Sequence, residues 1–418
     1  MVARRCRRGT VVVVIPLEEA RAHVLAACAP LDPVEVRLAE SVGCVVAEPV
    51  TSPEDVPPFA NTAVDGFAVR AADVADAPVT LTVVDTLAAG AARTEPVGPG
   101  ETVRIMTGAP LPPGVDAIVM VEDSEPADGP HAIRLRRAVA VGDAVRAAGS
   151  DVRAGEVVLT PGTVLRPAHL GVLASIGRLT VRAHRRPLVG VLSTGDELVN
   201  DGGPLALGQI RESNKHVLLA LVTAAGAEPV DLGLVRDDEA ALEAVLADGA
   251  SRCDALVTSG GVSMGDFDIV KAVLSRLAEM RWMQIAIKPA KPFAFGILPT
   301  ADGRRVPVIG LPGNPVSSFV SFELLARPAL RRLAGHADPE RVPVLAIADA
   351  GMARRSDGKT HWVRVYGGFG PDGRLHVRST GPQGSHQLAA TAAAQGLAEV
   401  VDGDGVPAGG EVPVLWFD

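Results

Sequence analysis

Lys288 and Lys291, in Ile287-Lys-Pro-Ala-Lys-Pro292, lie inside an apolar segment flanked by Ile285 and Ala286 on one side and Phe293, Ala294 and Phe295 on the other. An ammonium is costly in such surroundings unless it meets water or a counter-charge, so an oxyanion held by both lysines accounts for the pair. The competing reading is two solvated lysines guarding a sheet edge. Small residues add a second signal. Ser259, Gly260, Gly261 and Ser263 follow an apolar run, and glycines there let backbone N–H groups approach a phosphate or other anion. A tight turn needing glycine backbone angles is the structural alternative. Leu311-Pro-Gly-Asn-Pro315 has the same form, with the Ser317 hydroxyl close behind it. Carboxylates complete the set: Asp196, Glu197, Asp237, Asp266 and Asp268 all lie in or just after turns. Near a phosphate such groups hold Mg²⁺, although Asp237 or Asp238 would also serve as a helix cap. Together these residue types point to phosphoryl or phosphoanhydride chemistry.

The elements that must position them repeat one pattern: an apolar run, a Gly- or Pro-rich turn, then a helix-like stretch. It occurs in Pro187–Glu197, Asp254–Asp268 and Val306–Ser317. Short apolar runs of this kind read as buried parallel strands whose turns reach the carboxyl edge of an α/β sheet, where ligands bind. Between Pro187 and Leu333 strands and helices alternate, with helices from about Asn214 to Ala225, after Asp237 or Asp238, from about Asp268 to Ala278 and from Pro315 to Leu333. This predicts a doubly wound, mostly parallel sheet. From about Val34 to Arg146 the chain is strand-like and rich in turns, and after Gly335 it returns to short strands. Pro167 opens a helix through Ile176 that Gly177 closes. Leu17–Cys28 reads as a helix with Ala20, Val24 and Ala27 on its apolar stripe. The residues before it, Val11–Ile15 included, read as a ragged leader, their apolar run being too short for a signal peptide.

Composition narrows the function classes. Lys+Arg 40 against Asp+Glu 49 gives a net charge of −9, so there is no global basic field to attract nucleic acid or anionic lipid. Aromatic residues make up 3%, which argues against a base-stacking surface. Cys6, Cys28, Cys44 and Cys253 form no CxxC pair and read as reduced, space-filling thiols in a cytoplasmic protein. No stretch is apolar for long enough to span a bilayer. Neither G-x-x-x-x-G-K-[ST] nor a Rossmann G-x-G-x-x-G follows a strand, and no Ser-His-Asp or Cys-His arrangement stands out.

Six motifs then occur in order: Asn61-Thr-Ala-Val-Asp-Gly-Phe-Ala68, Arg104-Ile-Met-Thr-Gly-Ala-Pro110, Leu192-Ser-Thr-Gly-Asp-Glu-Leu198, Ser259-Gly-Gly-Val-Ser263, Lys288-Pro-Ala-Lys-Pro292 and Leu311-Pro-Gly-Asn-Pro-Val-Ser317. With them the chain resembles the molybdopterin molybdenumtransferase (MoeA) family, which includes the gephyrin E domain. The resemblance runs from about Leu17 almost to the C-terminus. It implies an α/β plus β fold: a helical or linker domain (16–50 and 146–186), a β-rich domain inserted in it (51–145), a MogA-like α/β molybdopterin-binding domain (187–335) and a C-terminal β-barrel (336–418).

The implied reaction is a transferase step of molybdenum cofactor biosynthesis, in which molybdate enters adenylylated molybdopterin and AMP leaves, with Mg²⁺. Carried over by motif, Lys288, Lys291, Pro292 and Ser317 are molybdate or substrate ligands, joined by Arg364 and Ser385 of the C-terminal domain. Gly195, Asp196, Ser259, Gly260, Gly261, Ser263, Pro312, Gly313, Asn314 and Pro315 frame the substrate. Asp65, Thr107, Glu197, Asp237 and Asp268 are implied catalytic groups, with Asp237 and Asp268 as Mg²⁺ ligands. The resemblance also implies a homodimer in which Asp65 and Thr107 serve the other subunit's pocket, and contacts with other proteins of the pathway. Departures from the family pattern are Ala290 for Gly between the lysines, Gln284 for a basic residue, Val64 and Phe67 for Met and Tyr, and Gln395 for Asn. A molybdopterin adenylyltransferase and a non-catalytic, gephyrin-like scaffold are the alternative functions.

Overall fold

A computed structural model describes residues 3–5, 11–262 and 269–417. The chain folds as two compact units, one of residues 35–42 and 46–182, the other of 1–34, 43–45 and 183–418.

The smaller unit is built on a six-stranded sheet in the order Ala117–Met120, Gly66–Val69, Glu101–Ile105, Val79–Leu87, Ala132–Leu135, Ser124–Pro126. Alternation along the strands gives the sheet two apolar faces. Phe67, Val69, Leu81, Val119 and Leu135 gather on one side. Ala68, Leu87, Val103, Ile105 and Ile118 gather on the other. The Pro167–Ser175 helix starts at its proline and ends before Gly177, whose φ of 73° suits a residue without a Cβ.

The larger unit holds an eight-stranded mixed sheet. Its order is Ala3–Arg5, Val11–Ile15, Glu279–Ile285, Pro292–Pro299, Arg305–Leu311, Ala255–Ser259, Leu188–Thr194, Glu228–Val235. The last four strands run parallel to one another, as the alternation of strands and helices requires. Pro292–Pro299 is antiparallel to both its neighbours, so the sheet is less parallel than the sequence suggests. Val11–Ile15 is a correction to the expected leader: it is a strand, and Val14 and Ile15 pair with Gln284 and Ile285. Its backbone groups extend the sheet where Glu279–Ile285 would otherwise be an edge. The first helix, Leu17–Ala27, buries Leu17, Ala20 and Val24. Ala27 is exposed and Cys28 takes its expected place in the core.

Helices Asn214–Ala224, Glu239–Arg252, Ile269–Leu277 and Pro315–Ser321 cover the sheet. Asp238, not Asp237, caps the second of these, its side chain accepting from the Ala241 N–H at 3.0 Å. The helical stretch to Leu333 is interrupted by a π-helical segment, Phe322–Ala326. At the amino ends of two central strands, Asp254 takes a bidentate pair of bonds from Arg185 (2.6 and 2.7 Å) and a third from the Leu188 N–H (2.7 Å). That clamp fixes the start of Leu188–Thr194 against Ala255–Ser259.

Five C-terminal strands close into a barrel: Thr360–Phe369 pairs with Leu375–Ser379, that with Val344–Ala348, that with Glu411–Trp416, that with Gly396–Val400, and the last returns to Thr360–Phe369. Closure leaves no free edge within the ring. Ala346, Val365, Leu375, Val377, Ala398, Val412 and Val414 fill it. Cys28, Cys44 and Cys253 are buried free thiols, and burial pushes the Cys28 thiol up to about 12. Cys6 lies outside the described residues. No described helix is long and apolar enough to cross a membrane.

Candidate active site

The turns after the three central parallel strands meet at one edge of the sheet. Leu188–Thr194 delivers Gly195, Asp196 and Glu197; Ala255–Ser259 delivers Gly260 and Gly261; Arg305–Leu311 delivers Pro312, Gly313, Asn314 and Pro315. Gly260 has a φ of 99°, and a Cβ there would lie 3.1 Å from the Thr194 carbonyl oxygen, so this position needs glycine both for its backbone angle and for the close approach. The Gly260 N–H donates to the Leu311 carbonyl at 3.1 Å, which ties the second turn to the third strand.

A residue that pattern reading passed over holds the arrangement. The Asn214 side-chain amide donates to the Ser259 hydroxyl at 2.8 Å and to the Gly313 carbonyl at 2.7 Å. One planar group thereby joins two turns that are far apart in sequence. Asn214 begins the Asn214–Ala224 helix, and buried Glu212 fixes its position. Glu212 Oε1 accepts from the Ser193 hydroxyl at 3.0 Å and from the Lys215 N–H at 2.8 Å. The polar run Arg211-Glu-Ser-Asn214 before an apolar helix was the available signal; it reads as a helix start and hides the cross-brace.

The carboxylates sort by place. The Asp237 N–H donates to Asp196 Oδ1 at 3.1 Å, so these two residues, both exposed, are neighbours. Glu197 folds back on its own turn: a Cβ on Gly195 would lie 2.6 Å from a Glu197 carboxylate oxygen. Ser263, Asp266 and Asp268 lie outside the described residues. Among the described residues no three His, Cys, Asp or Glu side chains form a group that would hold a metal alone. Carboxylate oxygens such as those of Asp196 and Asp237 are the hard donors that Mg²⁺ prefers when substrate phosphates complete its shell.

Lys288 is exposed and ends the short strand Ile287–Lys288, paired with Thr360 and His361 of the barrel. Lys291 is half-buried; its carbonyl accepts from the Ile285 N–H at 2.7 Å, and Pro292 opens the following strand. Between the lysines, Ala290 is buried with a φ of 76°. That left-handed backbone is where glycine is favoured, which accounts physically for the family's usual residue. A cavity of about 710 Å³ opens beside Lys288, with Met352, Asp357, His361, Val363 and Gly384 among its walls. Burial, helped by Arg354 and Lys288 against the opposing pull of Asp357, holds the His361 imidazole below its ordinary value.

Arg364 is placed differently from the expectation of a cation presented to a ligand. It is 1% exposed. Its Nε donates to Gln383 Oε1, Nη1 to the Gln387 carbonyl and the Thr391 hydroxyl, and Nη2 to the Pro382 and Gly384 carbonyls, at 2.8–3.3 Å. All five side-chain N–H groups are thus engaged by the loop that carries Ser385. The Ser385 carbonyl in turn accepts from the Val316 N–H at 3.1 Å, bringing this loop to the turn before Ser317, whose side chain is buried. Among the departures, Gln395 makes a defined contact: its Oε1 accepts from the Gly367 N–H at 2.9 Å inside the barrel.

In the smaller unit, Asp65 and Thr107 form an exposed pair. Asp65 Oδ1 accepts from both the hydroxyl and the N–H of Thr107, each at 2.7 Å. These two bonds, the hydroxyl's first, hold the Asp65 carboxyl below its ordinary value.

Known proteins show the same organisation. Three family models match in order: the MoeA N-terminal region (domain I and II) over residues 15–177, a probable molybdopterin binding domain over 190–332, and the MoeA C-terminal region (domain IV) over 349–417. The molybdopterin molybdenumtransferase of Haemophilus influenzae is 38% identical over 90% of this chain and 92% of its own. Molybdopterin molybdenumtransferase 2 of Mycobacterium tuberculosis is 37% identical over 91% and 93%. The crystal structure of a molybdopterin biosynthesis moeA protein from Pyrococcus horikoshii superposes with a TM-score of 0.78 at 30% identity, covering 97% of this chain and 100% of that one. By these matches and by the architecture they share, the chain belongs to the molybdopterin molybdenumtransferase (MoeA) family.

Proposed function

We propose that this chain carries out the molybdate-insertion step of molybdenum cofactor biosynthesis: adenylylated molybdopterin receives molybdate, AMP leaves, and active cofactor is formed. The observation that carries this reading is the Asn214 amide, which holds the Ser259 and Gly313 turns as one anion-facing edge. Around it, Ser259, Gly260, Gly261, Ser263, Gly195, Pro312, Gly313, Asn314 and Pro315 frame the phosphate-bearing part of the substrate, with the N–H groups of Gly261, Gly313 and Asn314 as its backbone donors. Lys288 and Lys291, with Pro292, Ser317 and Ser385, bind the molybdate dianion, which fixed cations and hydroxyls suit. Arg364 acts through the Ser385 loop as a positioning residue.

Asp237 and Asp268, with Asp196 beside Asp237, are the groups that would hold Mg²⁺. When bound, the cation supplies neutralisation of the phosphoanhydride oxygens. Glu197 stands beside the Gly195 turn to orient the water or proton that anhydride cleavage requires. The protein works in the cytoplasm as a homodimer in which Asp65 and Thr107 serve the partner's pocket, and it meets other proteins of the pathway to receive its substrate.

The test is AMP release from adenylylated molybdopterin by the purified protein. Release that depends on molybdate is expected, and a Lys288→Ala, Lys291→Ala double variant should lose at least tenfold in turnover. AMP release without molybdate, or adenylylation of bare molybdopterin by ATP, would overturn the reading. Unimpaired turnover in the double variant would remove the lysines from the anion site.

A further inference from the structure

We propose that the basic cluster of the Arg327–Leu333 helix is a binding site for one tetrahedral oxyanion of the phosphate or sulfate class, formed by residues other than those of the Lys288 and Lys291 site. The helix sets Arg327 and Arg331 four residues apart, so both side chains leave one face. Gly335, with a φ of 85°, then turns the chain, and the His336 N–H closes on the Arg331 carbonyl at 3.0 Å. This returns His336 to the arginines, with Arg331 Nη2 standing 3.2 Å from its Nδ1. Like charges at this helical spacing repel even in water. Here Arg327 is 8% and His336 6% exposed.

The charges around them do not balance. Among the described residues, Glu323 is the carboxylate whose charge reaches Arg327, and it is already committed to Arg341, whose Nε donates to its Oε2 at 2.9 Å. Three guanidiniums against one carboxylate leave two positive charges uncompensated. Burial, then the Arg341 charge, pushes the Arg327 guanidinium down to about 10 against the pull of Glu323. Burial and the two helix arginines push the His336 imidazole down to about 4, so it is neutral at neutral pH. The hydrogen bonds are also unspent. Arg327 makes one, from Nη1 to the Pro339 carbonyl at 3.5 Å, and the buried Nε atoms of Arg327 and Arg331 have no partner. Arg364, also buried, engages every donor it has. Water could take the idle donors of Arg327 and Arg331, but it could not take the charge. A tetrahedral dianion does both, supplying two negative charges and accepting from two planar forks. Arg341 also donates to the Trp416 and Phe417 carbonyls, so the anion secures the helix where it meets the end of the last barrel strand.

The probes are sulfate and inorganic phosphate, added at millimolar concentration and constant ionic strength to the full-length protein, where the general stabilising effect of these salts is small. The melting temperature is expected to rise and saturate, and calorimetry to show a site that the Lys288→Ala, Lys291→Ala double variant keeps. Arg327→Met should weaken this binding at least tenfold. In chloride alone it should melt no lower than the parent, because an unpaired buried charge has been replaced by an apolar chain. Arg331→Met, at a half-buried position, should weaken binding likewise and provides a second variant. Absence of a saturable shift in the parent, unchanged binding in both folded arginine variants, or loss of the site in the lysine double variant would overturn the inference. So would a fall in the melt of Arg327→Met as large in chloride as in sulfate, since the guanidinium would then be structural without an anion.

Discussion

The Asn214 amide nitrogen lies 2.8 Å from the Ser259 hydroxyl and 2.7 Å from the Gly313 carbonyl oxygen. The hydroxyl accepts one amide proton and the carbonyl the other. Two glycine turns on neighbouring parallel strands are therefore held by one side chain delivered from a helix start, and rigid placement of backbone donors is what anion recognition needs.

Asn214→Ala should cost about 1–3 kcal/mol, because the buried Ser259 hydroxyl loses its partner while the exposed Gly313 carbonyl turns to water. Turnover should fall at least tenfold. Asn214→Asp, although nearly the same shape, should be no better, since a carboxylate repels the Gly313 carbonyl that the amide bound. Urea midpoints and AMP-release rates on the two variants check this; an Asp variant as active as the parent would show that the brace has no role.

Thr107→Val should move the Asp65 titration upward. The hydroxyl bond is the leading cause of the lowered carboxyl, and the backbone N–H bond survives the substitution. A carboxyl held low stabilises the folded state above its unfolded value and loses that contribution as pH falls through the folded value. In the variant the contribution is therefore smaller, and its loss is complete at a higher pH. Asp65 is exposed, so the effect on global stability is small and carboxyl NMR is the proper readout. An unmoved titration would mean that the hydroxyl bond is absent in solution.

At Ala290 opposing terms nearly cancel. Replacement by Gly relieves about 1–2 kcal/mol of left-handed strain, loses about 0.8 kcal/mol of buried methyl, and adds about 0.4–1 kcal/mol of unfolded-state entropy. Ala290→Gly is therefore expected within about 1 kcal/mol of the parent. Ala290→Val, branched at Cβ at a φ of 76° and buried, should lose well over that and disturb the spacing of Lys288 and Lys291. Denaturant midpoints separate the two, and a Val variant as stable as Gly would show that the turn relaxes freely.

The legible part of this protein was the part written in period and punctuation. The Asn214 helix and the Pro167 helix match the residues because apolar periods, caps and glycines mark them locally. Val11–Ile15 is not legible as a strand locally, because only its partner, Glu279–Ile285, makes it one, and that partner lies far along the chain. Asn214 and Glu212 went unnoticed for a similar reason. A polar residue before a helix has a sufficient local role, and its long-range bonds exist only once the turns are folded. The motif assigns Arg364 as a cation of the substrate cleft; its contacts with the carbonyls and amides of a loop about twenty residues on are not written in the motif.

That placement gives a sharper expectation for Arg364 than for any exposed cation. Five donors in a planar fork satisfy the carbonyls of Pro382, Gly384 and Gln387, the Gln383 side chain and the Thr391 hydroxyl. Lysine has three donors on a flexible stem and cannot reproduce the fork. Arg364→Lys should leave buried acceptors unpaired and cost about 3 kcal/mol or more, felt first in the 382–391 loop. The Ser385 carbonyl holds the Val316 N–H, so loosening of the loop should also speed hydrogen exchange at Val316, next to Ser317. Loss of molybdate affinity together with faster exchange at Val316 is the outcome expected of a positioning residue. Lost affinity with Val316 protection unchanged would instead mean that the guanidinium meets the anion directly.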